Sequence, residues 1–282
     1  IKSAKPPKLY IASDGARDSK EGEGIIVNEL REYIINSVDW NCEVITLFRN
    51  VNLGCKVAVS GAIDWFFDKE EMGIILEDDC LPSLSFFKFS QEMLIKFQFD
   101  TRISGISGSN FESTLNPNNN DSYFFSEILY MWGWATWRRS WLINKKFTEQ
   151  YSKLFNNNQL NNVIANKKAN VMWISESGKA IKGEIDTWDY QWLFANICDH
   201  KLAIIPSENL VLNIGFDEHA THTKHVREEL IVINKELVFP LNHPAFIIRN
   251  KKYDEFFYSN IYGWSTFLKR IITKLKKVIS FI

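Results

Sequence analysis

Ile74, Ile75 and Leu76, bounded by Gly73, run straight into Glu77-Asp78-Asp79-Cys80, so an apolar segment too short to cross a bilayer delivers three consecutive carboxylates to one point. A segment of that kind reads as a buried strand, and Pro82 starts a helix after the break. The chain is thereby committed to a sheet with an acidic end. Three adjacent like charges repel one another. A hard divalent cation such as Mg²⁺ or Mn²⁺ would hold them, since such ions prefer oxygen ligands and often share them with phosphates. A solvated acidic turn would tolerate them as well.

The residues before this strand follow the same grammar. Lys8 to Ala12 is a short strand entering the turn Ser13-Asp14-Gly15, and Gly24 to Ile35 reads as a helix with Ile25, Leu30 and Ile34 on its apolar side. Cys42 to Phe48 is a second strand and Leu53 to Phe67 a second helix. After the Ile74 strand, a helix from about Ser83 to Phe97 carries Phe86, Phe87, Met93 and Leu94. Such a β-α-β-α-β-α series is expected to form an α/β fold, a mostly parallel central sheet flanked by helices, with ligands at the C-terminal strand ends. Asp14 and the Glu77 cluster would then share one rim.

At 282 residues, 45% of them hydrophobic and 14% aromatic, the chain can bury a large core and needs no more than one domain with appendages. A formal net charge of -1 argues against a nucleic-acid binder that relies on a general basic field. Cys42, Cys55, Cys80 and Cys198 lie far apart with no CxxC pair, which suggests neither a zinc ribbon nor a disulfide scaffold and fits a reducing compartment. No signal peptide is read at Ile1, no apolar run approaches the roughly 18 residues of a spanning helix, and an N-terminal piece is expected to be missing.

The second half is less regular. Met131 to Trp141 holds Trp132, Trp134, Trp137 and Trp141, of which Trp137 and Trp141 read as core residues on a helix after the Gly133-Trp134 turn. Asn-rich stretches at 116–120 and 156–162 read as surface loops. Glu184 to Trp192 sets Asp186 and Asp189 among Trp188, Tyr190 and Trp192. Desolvation raises a carboxyl pKa towards values useful for a general base, so either aspartate is a candidate for taking a proton from an alcohol. Asp186 reads equally as the N-cap of a helix at 187–198. His219, His222 and His225 form the one histidine cluster, after a strand end and loop at Asn213 to Asp217. With no cysteine nearby, one histidine joining the acidic metal site is favoured over a separate zinc site.

Near the C-terminus, Phe267, Leu268, Ile271, Ile272, Leu275, Val278, Ile279 and Ile282 fall on one helical face, and Lys269, Arg270, Lys274, Lys276 and Lys277 on the other. This basic amphipathic pattern over 267–282 contains no acid. It fits the headgroup region of an anionic membrane, each basic residue adding on the order of 1 kcal/mol near the surface. Docking on the protein's own core is the alternative.

Ser13-Asp14-Gly15 after a strand, Arg49 to Lys56 before a helix, Leu76-Glu77-Asp78-Asp79, Trp132-Gly133-Trp134 and Trp188-Asp189 together resemble, in that order, the motifs of GT-A glycosyltransferases. The series is similar to that of the inverting N-acetylglucosaminyltransferase I-like family and of bacterial sugar transferases, over about residues 8–225. The resemblance implies a GT-A (nucleotide-diphospho-sugar transferase) fold over 1–240, with a nucleotide-binding half about 1–110, an acceptor and catalytic half about 111–240, and a C-terminal extension at 241–282. It implies that Asp14 and Gly15 meet the nucleotide base, with Arg49, Asn52 and Lys56 near the nucleotide or its phosphates. Glu77 and Asp78 would hold sugar and ribose hydroxyls, and Gly133 and Trp134 would line the donor sugar. Thr221 and His222 would belong to a loop over the diphosphate, Asp79 would be the direct metal ligand with His222 beside it, and Asp189 would be the base. Two departures stand out. The family's first strand has no counterpart before Lys8, so the fold is expected to lack it, and Trp188 to Trp192 is one residue longer than the family motif, leaving Asp186 as a rival base.

The activity so implied is transfer of a hexose or N-acetylhexosamine from a nucleotide sugar, a UDP-sugar favoured, to a hydroxyl of a cell-surface glycan precursor or lipid-linked glycan. It would use Mn²⁺ or Mg²⁺ and work as a peripheral protein on the inner face of the cytoplasmic membrane. A sugar-1-phosphate nucleotidyltransferase would need a Gly-rich phosphate loop near the N-terminus, which is not seen. A non-catalytic membrane-associated scaffold of the same fold would leave Asp79 and Asp189 dispensable.

Overall fold

The computed structural model describes residues 1–118, 120–215 and 233–261. They fall into two compact units, Ile1–Glu71 with Lys182–Trp188, and Met72–Ile181 with the residues from Asp189 onward. The histidine cluster, Thr221 and His222 with it, and the 267–282 segment lie outside the described residues.

The first unit is built from β1 (Lys8–Ser13), α1 (Glu23–Asn36), β2 (Glu43–Phe48) and α2 (Gly54–Phe67). β1 and β2 pair in parallel, from Lys8 opposite Glu43 to Ser13 opposite Phe48, with α1 as the crossover that a parallel pair requires. Ala58, Ile63 and Phe67 of α2 are buried, and Tyr10 meets Trp65 and Phe66 edge-on at 5.1 and 5.0 Å. The expected apolar side of α1 is corrected in part: Ile25 and Leu30 are 67% and 53% exposed, while the half-buried positions are Glu23, Val27, Arg31 and, as expected, Ile34. Arg31 sets this phase. Its guanidinium donates to Ser13 Oγ (3.1 Å) and to the Asp14 and Arg49 carbonyls (2.9 and 2.7 Å), and lies 4.9 Å over the Phe48 ring. A half-buried charged head needs such partners, and the helix rotates to supply them.

The second unit holds β3 (Met72–Ile75), β4 (Cys80–Pro82), α3 (Leu84–Lys96), β5 (Ile103–Ser107), β6 (Tyr123–Ser126), β7 (Trp134–Trp137), α4 (Arg138–Asn156), α5 (Lys167–Lys182), α6 (Asp189–Cys198), β8 (Leu202–Pro206), β9 (Val211–Asn213) and α7 (Lys251–Phe256). Its five-stranded sheet has the order β3-β7-β5-β8-β6, and β4 pairs separately with β9. Only β5 and β8 pair in parallel in that sheet; β7 runs against both β3 and β5, and β6 against β8. The mostly parallel sheet expected from the sequence is therefore corrected to a mixed one. The crossover through α3 does give β3 and β5 the same direction, but the tryptophan-rich segment enters between them as an antiparallel strand. Trp137 accordingly lies in β7 and not on a helix.

Every residue of β5, β6 and β7 is buried. Strand alternation sends Ala135 and Trp137 into a cluster with Phe86, Phe89 and Met93 of α3, while Trp134 turns to the opposite face. There it packs at 4.6 Å from Trp192 of α6 and 6.5 Å from Trp141 of α4. Trp137 and Trp141 are thus core, as read from the sequence. None of the four cysteines forms a disulfide, and among the described residues no helix is long and apolar enough to cross a membrane.

Candidate active site

In the first unit, the turn after β1 is held against the segment leading into α2. A Cβ on Gly15 would lie 2.4 Å from the Val51 carbonyl carbon and 2.7 Å from Asn52 N, so only glycine allows this approach. Asn52 Nδ2 donates to the Gly15 carbonyl at 2.8 Å. Asp14 accepts from the N–H groups of Leu53 (2.9 Å) and Gly54 (3.1 Å), and Asp186 from those of Cys55 (2.9 Å) and Lys56 (2.7 Å). Asp186 therefore caps α2, whereas the sequence suggested a cap on the later helix. The structure gathers Asp14, Gly15, Asn52, Lys56 and Asp186 about this helix start, while the Arg49 guanidinium lies beside Gly61 of α2.

The second unit contains the acidic turn. β3 ends at Ile75, and the Cys80 N–H donates to the Glu77 carbonyl at 3.1 Å, closing a tight turn into β4. Asp189 opens α6, its Oδ1 accepting from the Tyr190 N–H at 3.0 Å. Burial pushes the Glu77 carboxyl up to about 8, and the nearby Asp79, Asp189 and Asp78 charges push it the same way. The turn after β3 and the start of α6 thus share one electrostatic field, in which Glu77 keeps its proton at neutral pH.

Asp79 is held on several sides. Asn213 Nδ2 donates to its Oδ2 at 3.0 Å, the Cys80 thiol approaches its Oδ1 at 3.6 Å, and its carbonyl accepts from the Ile214 N–H at 2.8 Å. Burial pushes the Cys80 thiol up to about 12, so it remains a donor. A fixed carboxylate among further carboxylates fits a hard divalent cation. Among the described residues, no group of three or more His, Cys, Asp and Glu side chains forms a ligand set of its own.

Gly133 adjoins this turn. Its φ is 65°, and a Cβ there would lie 2.7 Å from Val211 and 3.2 Å from Leu76, the residue before Glu77. Its carbonyl accepts from the Gly108 N–H at 2.8 Å, joining the start of β7 to the end of β5. Trp134 is 0% exposed, so its ring belongs to the tryptophan core. Sequence reasoning did not single out Arg31, Asn213 or Gly215. A lone arginine on an amphipathic helix and an Asn-x-Gly after a strand are too common to signal a role.

No family model matches the chain, and no curated protein matches it.

Proposed function

We propose that the chain is a GT-A type glycosyltransferase, metal-dependent and inverting, that transfers a sugar from a nucleotide sugar, UDP-sugar favoured, to a hydroxyl of a cell-surface glycan precursor. One observation carries the reading: Asp189, far from the acidic turn in sequence, acts electrostatically on Glu77 together with Asp78 and Asp79 of that turn. The acidic turn also follows the C-terminal end of β3, the side of an α/β sheet on which ligands bind.

The chemistry follows from these groups. Asp189 takes the proton of an acceptor hydroxyl, and the freed oxygen attacks the anomeric carbon as the nucleoside diphosphate leaves from the opposite face. One displacement inverts that centre. Glu77 would hold a sugar or ribose hydroxyl, as the family resemblance implies. Asp79 would hold Mn²⁺ or Mg²⁺ together with diphosphate oxygens, and such an ion, when bound, neutralises charge on the leaving group. Fixing donor and acceptor side by side supplies much of the remaining acceleration.

Calorimetric titration of UDP and GDP, with and without Mn²⁺, against the wild-type chain and Asp79→Ala tests this. The expected result is metal-dependent binding of one nucleotide, lost in the variant. Asp189→Asn should keep that binding and lose transfer by roughly 10²- to 10⁴-fold. Wild-type binding of neither nucleotide, or unchanged binding by Asp79→Ala, would sink the reading.

A further inference from the structure

The acidic turn is gripped by the segment after β9. Asn213 is the last residue of that strand and sits opposite Cys80 of β4, directly beside Asp79 in the chain. It is 8% exposed, and both ends of its side-chain amide are used. The NH₂ donates to Asp79 Oδ2 at 3.0 Å, and the carbonyl oxygen accepts from the Gly215 N–H at 2.8 Å. The Ile214 N–H donates to the Asp79 carbonyl at 2.8 Å, continuing the β4–β9 ladder past Asn213. Gly215 closes the clamp. A Cβ there would stand 2.5 Å from Asp79 Oδ2 and 2.9 Å from its Cβ, and the glycine's φ lies outside the left-handed region. Glycine is needed here for space beside the aspartate, not for an unusual backbone.

We propose that Asn213, seated by Gly215, is a positioning residue that fixes the Asp79 carboxylate for a divalent cation; this rests on the reading of Asp79 as the metal ligand. An aspartate side chain on a tight turn has two free torsions, and a cation that takes one of its oxygens gains from having the other held. A neutral amide donor holds an oxygen without bringing a charge that competes with the ion. Partners of this kind orient metal ligands throughout metalloproteins, and their loss typically lowers metal affinity by about 10- to 100-fold.

The test is Mn²⁺ affinity in the presence of saturating UDP, read from the spin-resonance signal of free Mn²⁺, for the wild type, Asn213→Ala, Asn213→Ser, Gly215→Ala and Asp79→Ala. Thermal unfolding of the metal-free proteins serves as the control for folding. The two Asn213 variants and Gly215→Ala are expected to bind Mn²⁺ at least about tenfold more weakly. Asn213→Ser, which keeps a small polar group beside Gly215, covers the case in which Asn213→Ala does not fold. Affinities within twofold of wild type in the folded Asn213 variants, with binding abolished in Asp79→Ala, would overturn the positioning role and leave the site reading standing. No Mn²⁺ binding by the wild type, or wild-type affinity in Asp79→Ala, would overturn both.

Discussion

Four N–H groups at the start of α2, those of Leu53, Gly54, Cys55 and Lys56, are covered from outside the helix, two by Asp14 and two by Asp186. The first N–H groups of a helix have no partner within it, and a carboxylate there also meets the positive end of the helix dipole. Gly54 is part of the arrangement. It has φ 77°, and a Cβ would lie 2.8 Å from Asp186 Oδ2. Asp186 and Asp189, three residues apart and equal candidates by composition, are thus separated by what they touch. Asp186→Ala is expected to cost about 1 kcal/mol of stability while leaving transfer per folded molecule unchanged. Asp189→Asn is expected to do the reverse. Urea unfolding and initial rates on both variants check this, and a rate loss in Asp186→Ala as deep as in Asp189→Asn would show that the cap assignment misses its role. The sequence showed that carboxylates gather here, but which helix a distant aspartate caps depends on tertiary placement.

Within the second unit, α7 is tied to the end of β6 by buried charge. Ser126 Oγ and the Glu127 N–H both donate to Asp254 Oδ1, Arg249 pairs with Asp254 and Glu127, and Tyr258 donates to Glu127 Oε1 at 2.8 Å. The Glu127 side chain is 8% exposed. Burial pushes its carboxyl up to about 7, Asp254 adds to the rise, and Arg249 and the Tyr258 hydroxyl offset only part of it. An acid whose folded pKa lies above its unfolded one binds more protons when folded, so its contribution makes stability fall as pH rises from about 4.5 to 7 and level off above that. At about 1.4 kcal/mol per pKa unit, the fall is at most on the order of 3 kcal/mol. Urea unfolding between pH 4.5 and 7.5 should show a shallower decline for Glu127→Gln than for the wild type; identical slopes would mean that Glu127 titrates normally. The same stretch of chain shows why elements differ in legibility. The bounds of β1, α1, β2, α2 and α3 were readable within two residues from alternating runs and turns. β6 and β7 were not. Their residues are buried on both faces, so no polar alternation marks them, and Tyr123 to Trp141 reads as one aromatic block.

Across the whole chain, burial is distributed unevenly between the two units. No residue of α1 is buried, β1 and β2 have only half-buried or exposed positions, and their sheet has two strands. A two-stranded sheet is marginal by itself in water, because too little apolar area is removed to offset the entropy of ordering it. In the second unit, β5 is buried along its full length and bonded on both sides, to β7 and β8, within a five-stranded sheet packed against α3. The acidic turn, Asn213 and Asp189 all belong to this better-packed unit, which suits the roles proposed for them. Local opening free energy follows buried contacts, so the amides of β1 and α1 are expected to exchange hydrogen at least about tenfold faster than those of β5 and β8. Native-state hydrogen exchange resolved by peptide measures this directly. Equal protection across the two units would mean that the first is stabilised by something other than its own core, and the argument from burial would fail at this scale. A steep gradient would instead confine the rigid part of the molecule to the unit that carries Asp79 and Asp189.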